Sequence, residues 1–279
     1  MTGLEIRPAS RDDLAIMTDW AAAEGWNPGH HDADAFHPAD PEGFLIGWKN
    51  GKPVSCISVV GYDDTYGFLG FYIVDPDHRG QGHGLATWNA GMARLGDRTI
   101  GLDGVVDQQA NYAKSGFVLA ERNIRFSGVP SVGAPGDHPI VVLDGMSPSL
   151  ADYDAAMMPA RRADFLRHWI NPDHRHTLGY VRDGRIRGYG TIRPCREGYK
   201  IGPLFADTPE IAEALFNRLV ATSNGEPVSI DVPEPNTAGV ALATRHGLTP
   251  SFETARMYRG TPPSVPLNDI YGITSFELG

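Results

Sequence analysis

The sequence predicts an α/β protein of the α+β kind, built as two tandem units, each a mixed, mostly antiparallel sheet flanked by helices. Three observations carry that expectation. The chain has 279 residues, more than one typical domain holds. A short apolar strand, a glycine-rich turn and a helix follow one another over residues 67–95, the pattern of a crossover between parallel strands. Signals from the first half then return in the second at near-equal offsets, Asn50-Gly51 as Asp183-Gly184 and Ser115-Gly116-Phe117 as His246-Gly247-Leu248, which argues for a duplicated unit.

In order, Ile6-Arg7-Pro8 reads as a first strand, and Ser10 to Asp13 offers a cap and early acids for a helix through Leu14, Met17 and Trp20. Residues 24–43 are too rich in Pro, Gly and Asp for a regular element and predict a long surface loop with about one helical turn. Residues 44–48 and 54–60 form a hairpin around Asn50-Gly51, and residues 68–74 complete an antiparallel meander. The helix after the glycine turn shows Leu85, Trp88, Met92 and Leu95 on one face. Residues 99–106 then form a strand parallel to residues 68–74, Asp107 opens a short helix ending at Gly116, and residues 117–119 form a strand.

The second half repeats this plan after a Pro/Gly/Ser-rich passage, residues 127–148, interrupted by an apolar strand at 140–143. A helix around 165–170, a hairpin at 176–181 and 186–192, and a strand at 199–204 follow. Thr208-Pro209 caps a helix, residues 228–232 form another strand, and the stretch from Asn236 to Leu248 closes the unit. The division expected is 1–130 and 131–279.

Composition narrows the function. With 41% hydrophobic residues the chain can bury cores, and no apolar run has the length of a membrane span. The start, MTGLEIRPASRDDL, lacks the regions of a signal peptide. Cys56 and Cys195 stand far apart, so a disulfide framework is not expected and a reducing cytoplasm is. A net charge of -10 argues against nucleic-acid binding and mildly favours a cationic substrate. His30, His31, Asp32, Asp34 and His37 match no finger or helical ligand spacing, and no metal is expected.

The chemistry centres on Arg79-Gly80-Gln81-Gly82-His83-Gly84. Backbone N–H groups at a helix N-terminus, with few side chains around them, suit a phosphate or pyrophosphate. The spacing is neither the dinucleotide fingerprint nor a Walker loop, which needs a lysine. R-x-x-G-x-G after a strand ending V-D-P resembles the acetyl-CoA pyrophosphate loop of the GNAT N-acetyltransferase superfamily. Tyr112-Ala113-Lys114-Ser115-Gly116-Phe117 matches the Y-x-K-x-G-F pattern at the end of such domains at every fixed position. The segments GYGTIRPCREGYKIGPLFAD, ETARMYRG and IYGITSFELG resemble the divergent C-terminal domain of YitH-like tandem GNAT proteins.

The resemblance implies two GNAT-like domains and an N-acetyltransferase that moves an acetyl group from acetyl-CoA to a primary amine of a small molecule by direct attack. It implies that Arg79 to Gly84 hold the pyrophosphate, that the backbone at Tyr72, Ile73 and Val74 meets the pantetheine, and that Tyr112 protonates the leaving thiolate. It also implies that the first-helix region, here Glu24, Trp26, Asn27 and Phe36, shapes the acceptor pocket. The family's glutamate base has no counterpart on the strand at 68–74; Asp103 is the first candidate for proton removal, with Glu24, His83 and Asp64 behind it. The second copy has Phe205 to Glu210 at the loop and Ala243 at the tyrosine, so one active site is expected, in the first unit. No nucleic-acid or membrane partner is expected, and a homodimer is allowed. The alternative is a sensor that binds acyl-CoA without turning it over.

Overall fold

The computed structural model describes residues 3–133 and 136–279. Positions 134 and 135 of the Pro/Gly/Ser-rich passage, and the first two positions of the chain, lie outside the described residues. The first half runs β1 (Leu4–Pro8), α1 (Leu14–Ala23), α2 (Asp32–Ala39), β2 (Phe44–Lys49), β3 (Lys52–Gly61), β4 (Tyr66–Val74), α3 (His83–Leu95), β5 (Thr99–Val105), α4 (Gln109–Lys114) and β6 (Val118–Gly128). The second half has β7 (Ile140–Val142), α5 (Pro148–Met157), α6 (Ala163–Trp169), β8 (His176–Arg182), β9 (Arg185–Pro194), β10 (Tyr199–Ala206) and α7 (Pro209–Val220). It ends with β11 (Val228–Pro233), α8 (Thr237–Arg245), β12 (Thr249–Arg259) and β13 (Ile270–Gly272).

Local chemistry explains most boundaries. Both hairpins turn on two left-handed residues, Asn50 and Gly51 (φ 51 and 75) and Asp183 and Gly184 (φ 53 and 70), the backbone that matches the twist of the flanking strands. Thr208 caps α7 by accepting the Ile211 N–H at 3.4 Å, with Pro209 at the first helical position. Two segments depart from expectation. Residues 32–39 form the eight-residue α2 instead of open loop, because Ala35 and Phe36 bury completely and Asp32 accepts the Gly29 N–H at 2.8 Å. Residues 148–157 form α5, capped by Ser147 on the Leu150 N–H, a signal hidden within the Pro/Gly/Ser-rich passage.

One sheet joins the halves, in the order β1-β2-β3-β4-β5-β12-β6-β11-β10-β9-β8-β7, with β13 on β10. The halves exchange their long last strands: β12, late in the chain, lies beside β5 of the first half, and β6 lies beside β11 of the second. A cut at residue 130 therefore divides the chain but not the sheet. Each seam is bound by a buried ion pair between residues directly opposite in register, Arg256 with Asp103 and Arg125 with Asp231. The largest apolar cluster also draws on both halves, with Phe36 and Phe71 packed among Phe165, Trp169, Phe205 and Phe276.

Each half contains a parallel strand pair that opens. β4 and β5 pair from Tyr66↔Thr99 to Leu69↔Leu102 and then diverge; β10 and β11 pair from Tyr199↔Val228 to Ile201↔Ile230 and then diverge. The second opening is filled. There β13 pairs with β10 at Leu204↔Gly272 and Phe205↔Ile270, and the Ile273 N–H donates to the Asp231 carbonyl on β11 at 2.9 Å. Among the described residues no helix is long and apolar enough to cross a membrane. Both cysteines are free and buried.

Candidate active site

The first opening stays clear and becomes a cleft of about 340 Å³ between β4, β5 and the turn into α3. A bulge at Phe71, whose φ of 46 is unusual for a bulky residue, shifts the β3–β4 register between Cys56 and Ser58. Beyond Leu69 the β4 backbone has lost its β5 partner, and Tyr72, Ile73 and Val74 form one wall of the cleft.

At one end stands the glycine turn. Gly82, the residue that caps α3, has φ 81, a backbone few residues with a side chain adopt. A side chain at Gly84 would stand 2.7 Å from Val74 Cγ2, so its absence lets α3 close on β4. The first turn of α3 opens with the Ala86 N–H donating to the Gly82 carbonyl, leaving the earlier N–H groups at the positive end of the helix. Gly80, Gln81 and Gly82 are exposed. Arg79 donates to the Val74 carbonyl at 3.0 Å and pairs with Glu24 at 2.6 Å. Lys49, which the sequence did not single out, reaches in from β2, 3.2 Å from both Gln81 Oε1 and His83 Nε2.

At the other end Tyr112 faces the cleft. Gly116 ends α4 in a left-handed turn, and the Phe117 N–H returns to the Tyr112 carbonyl at 3.1 Å. The Tyr112 ring lies 5.7 Å from Trp88, which Tyr72 meets edge-on at 5.2 Å. Burial, with a minor contribution from Tyr72, pushes the Tyr112 phenol well above the ordinary tyrosine value, and its hydroxyl has no hydrogen-bond partner among the described residues.

Beyond Tyr112 the cleft meets a narrow slot with about 30 Å³ of free space. Its walls come from both halves: Trp26, Phe71, Tyr72 and Tyr112 from the first, and Phe252, Thr254 and Phe276 from β12 and the C-terminal tail. The tail is held by Tyr62, which donates to the Leu278 carbonyl at 2.7 Å, and by Ser58, which donates to that of Glu277 at 3.3 Å. No local pattern in the sequence marks Phe252, Thr254 or Phe276, since the first two reach the slot through the strand exchange and the third through the docked tail.

Several candidate residues sit elsewhere. Asp103 borders the slot, yet its carboxylate is wholly buried, holds Arg256 through both oxygens at 2.8 Å and accepts from Asn123 at 2.8 Å. Both oxygens are thus taken up by the seam between the halves, an occupation that the expectation of Asp103 as base did not include. Phe36 does not line the cleft; it is fully buried, stacked 6.1 Å from Trp169. Asn27, left-handed at φ 53, exchanges two 2.9 Å hydrogen bonds with the Glu197 backbone and clamps the halves together. His83 is turned beneath the loop, where burial and then Lys49 lower its pKa. Asp64 is fully exposed beside Arg98. Glu277 is buried, and burial raises its pKa against the pull of Lys200. Glu24 and Trp26 do line the cleft.

Of the loop histidines and acids, Asp32 is taken by Arg193 and Arg175. His31, Asp34 and His174 gather within 4.8 Å of one another, the two imidazoles stacked at 3.7 Å.

Comparison with known proteins gives these likenesses of sequence and fold. Residues 13–117 match the model described as Acetyltransferase (GNAT) family, and residues 150–272 the one described as Acetyltransferase (GNAT) domain. The chain is 33% identical over 276 residues to holothin acyltransferase of a Pseudoalteromonas strain, covering 98% of this chain and 94% of that one. It is 25% identical over 244 residues to the uncharacterised N-acetyltransferase YitH of Bacillus subtilis, covering 85% and 86%. A crystal structure of a Pyrococcus horikoshii protein classed as an acetyltransferase superposes with a TM-score of 0.85 at 21% identity, over 100% of this chain and 97% of that one. A tandem GNAT protein from the clavulanic acid biosynthesis pathway gives 0.60 at 18% identity, over 94% and 99%.

Proposed function

Since the chain belongs to the GNAT acetyltransferase family, with two such domains in tandem, we propose that its first unit binds acetyl-CoA in the β4–α3 cleft and passes the acetyl group to a primary amine of a small molecule by direct attack. One observation carries this: an open cleft runs from Arg79, in the turn before α3, past the unpaired Tyr72 to Val74 backbone to Tyr112. A relative named as an acyltransferase of holothin supports acyl transfer as the reaction.

The residues fit the donor. Open space surrounds Gly80 and Gly82, where backbone N–H groups, Arg79 and Lys49 would hold a pyrophosphate. When bound, acetyl-CoA supplies an activated acyl thioester. The unpaired β4 backbone past Leu69 aligns the pantetheine and offers N–H groups to the carbonyl that gains charge, a kind of contact typically worth about 3–4 kcal/mol. Tyr112 gives its proton to the departing sulfur. The second unit takes no donor in this scheme, because β13 fills its opening and acids stand at Asp207 and Glu210. We place the protein in the cytoplasm, which keeps Cys56 and Cys195 reduced.

Titration calorimetry of acetyl-CoA into the wild type and an Arg79→Ala, Gly82→Asp double variant tests the proposal. One equivalent for the wild type and none for the variant is expected; no binding to the wild type overturns it. A sensor that binds without turnover is the rival, favoured by the pairing of Asp103 with Arg256 and of Glu24 with Arg79. Release of free CoA thiol with an amine separates the two.

A further inference from the structure

A primary alkylamine carries an extra proton at neutral pH and must lose it before its nitrogen can attack. Yet β4, the strand beside which it attacks, reads YGFLGFYIV and bears no acid. In the middle of that strand Gly70 borders the slot. A side chain there would stand 2.3 Å from the carbonyl oxygen of Glu277 and 2.8 Å from its Cα. The glycine thus admits the C-terminal tail, and Glu277 is rooted where β4 would otherwise carry a side chain of its own. The tail is pinned at this contact: Ser58 donates to the Glu277 carbonyl, and the Leu278 N–H donates to Ser275 Oγ at 3.2 Å. The preceding residue, Phe276, is part of the slot wall.

Glu277 is 3% exposed, and its Oε1 has no hydrogen-bond partner among the described residues. The other buried acids differ: Asp32, Asp103, Asp154 and Asp231 are each clasped by an arginine at 2.8 Å or less. A buried carboxyl oxygen without a donor is destabilising to keep and free to take a proton. Burial raises the Glu277 pKa, with Asp32 at the start of α2 adding to it and Lys200 on β10, Arg125 on β6 and Arg193 on β9 opposing. A carboxyl shifted in that direction is the stronger proton acceptor. Glu24 and the exposed Asp107 line the donor cleft rather than the slot, Glu24 at the Arg79 end.

Building on the acetyl-transfer reading, we propose that Glu277, on the tail of the second half, is the general base for the active site of the first, taking the proton of an acceptor ammonium through one water in the slot. The slot's free space of about 30 Å³ has room for one water. Thr254 borders that space with a buried hydroxyl that has no partner, and can hold the water.

The step balances within the site. The ammonium passes one proton through the water to the Glu277 carboxylate. The amine nitrogen then bonds to the acetyl carbon as the carbon–sulfur bond breaks, and the sulfur takes a proton from Tyr112. The nitrogen yields its second proton to solvent, from which Tyr112 is restored, and Glu277 releases its own to solvent as the product leaves.

The test follows CoA thiol release with tyramine, benzylamine and spermidine between about pH 6 and 9, with acetyl-CoA affinity measured by calorimetry on every sample. For the amine turned over fastest, wild-type kcat/KM should level off below the amine's own pKa. Glu277→Gln should lower it about 10²- to 10⁴-fold at pH 7 with acetyl-CoA affinity unchanged. Its profile should climb about tenfold per pH unit throughout, because only the free amine then reacts. Glu277→Asp, one methylene shorter, should keep the levelled profile about tenfold slower, and carries the test alone if the amide variant does not fold. Asp107→Asn and Glu24→Gln should both level off. A Glu277→Gln profile that levels off, a climbing one in Asp107→Asn or Glu24→Gln, or a Glu277→Asp variant at the wild-type rate overturns the proposal and leaves acetyl transfer standing. Turnover of none of the three amines by a protein that binds acetyl-CoA also overturns it and favours the sensor. Failure to bind acetyl-CoA removes the underlying reading and this proposal with it.

Discussion

Asp103 and Asp231 hold the same station in the two halves: each stands on the strand after its crossover helix and grips, through both oxygens, an arginine directly opposite on a strand contributed by the other half. Arg256 donates to Asp103 at 2.8 and 2.8 Å, and Arg125 to Asp231 at 2.6 and 2.9 Å. The duplicated fold repeats its seam as well as its strands.

Asp103→Asn should therefore weaken the fold more than the chemistry. It leaves the buried Arg256 guanidinium short of its counter-charge, a change that typically costs about 3–5 kcal/mol. A lower urea midpoint is expected, with the pH profile of kcat/KM for the remaining folded enzyme keeping its shape. Loss of a catalytic acidic limb with stability intact would assign Asp103 as base.

Tyr112→Phe should cut kcat by about 10²- to 10⁴-fold while acetyl-CoA affinity holds. Burial raises the Tyr112 pKa far above the ordinary 10.0, so the phenol stays protonated and able to donate throughout the usual assay range. The rate should show no alkaline decline from this group below about pH 10. A wild-type decline near pH 9 that the Phe variant lacks would count against the raised pKa, and an unchanged kcat in the Phe variant would count against the acid role.

Glu24→Gln should tighten acetyl-CoA binding. Arg79 is paired with Glu24 at 2.6 Å and must leave it to meet a phosphate. Both side chains are partly exposed, so the gain is small, up to about fivefold in Kd, read by calorimetry at low salt and fading as salt rises.

Separate expression tests the strand exchange. Residues 3–133 alone lack β12, which pairs β5 on the side away from β4, and residues 136–279 lack β6, which pairs β11. Neither piece should give a cooperative urea transition by itself, and mixing the two should restore one. A cooperatively folded, monomeric first piece would show that the seam is dispensable.

What the sequence disclosed follows from range. Turns, caps and crossover depend on neighbours a few positions apart, so Asn50-Gly51, Thr208-Pro209 and the strand–glycine–helix run could be placed in advance. The helix end at Tyr112 was legible because Gly116 and Phe117, which form it, lie in the same short motif, whereas its stacking on Trp88 was not. The pairing of Asp103 was hidden because an acid on a strand beside a site looks the same in sequence whether or not an arginine faces it, and Arg256 is distant in the chain. The burial of Phe36 was hidden similarly: its partners Phe165 and Trp169 belong to the other half. The repeat itself held a clue to the seam, since the duplicated strands carry Asp103 and Asp231, and their partners Arg125 and Arg256, at matching stations.

The filled opening of the second half has a consequence for how such a protein changes over time. In the proposed scheme, with β13 lodged between β10 and β11, that half holds no donor, yet it supplies Phe252, Thr254 and Phe276 to the slot of the other. Mutations there alter which acceptor is admitted without touching the loop that grips the donor. Part of the taste of such an enzyme is thereby written apart from its appetite, and that part can drift while the grip on the donor stays fixed.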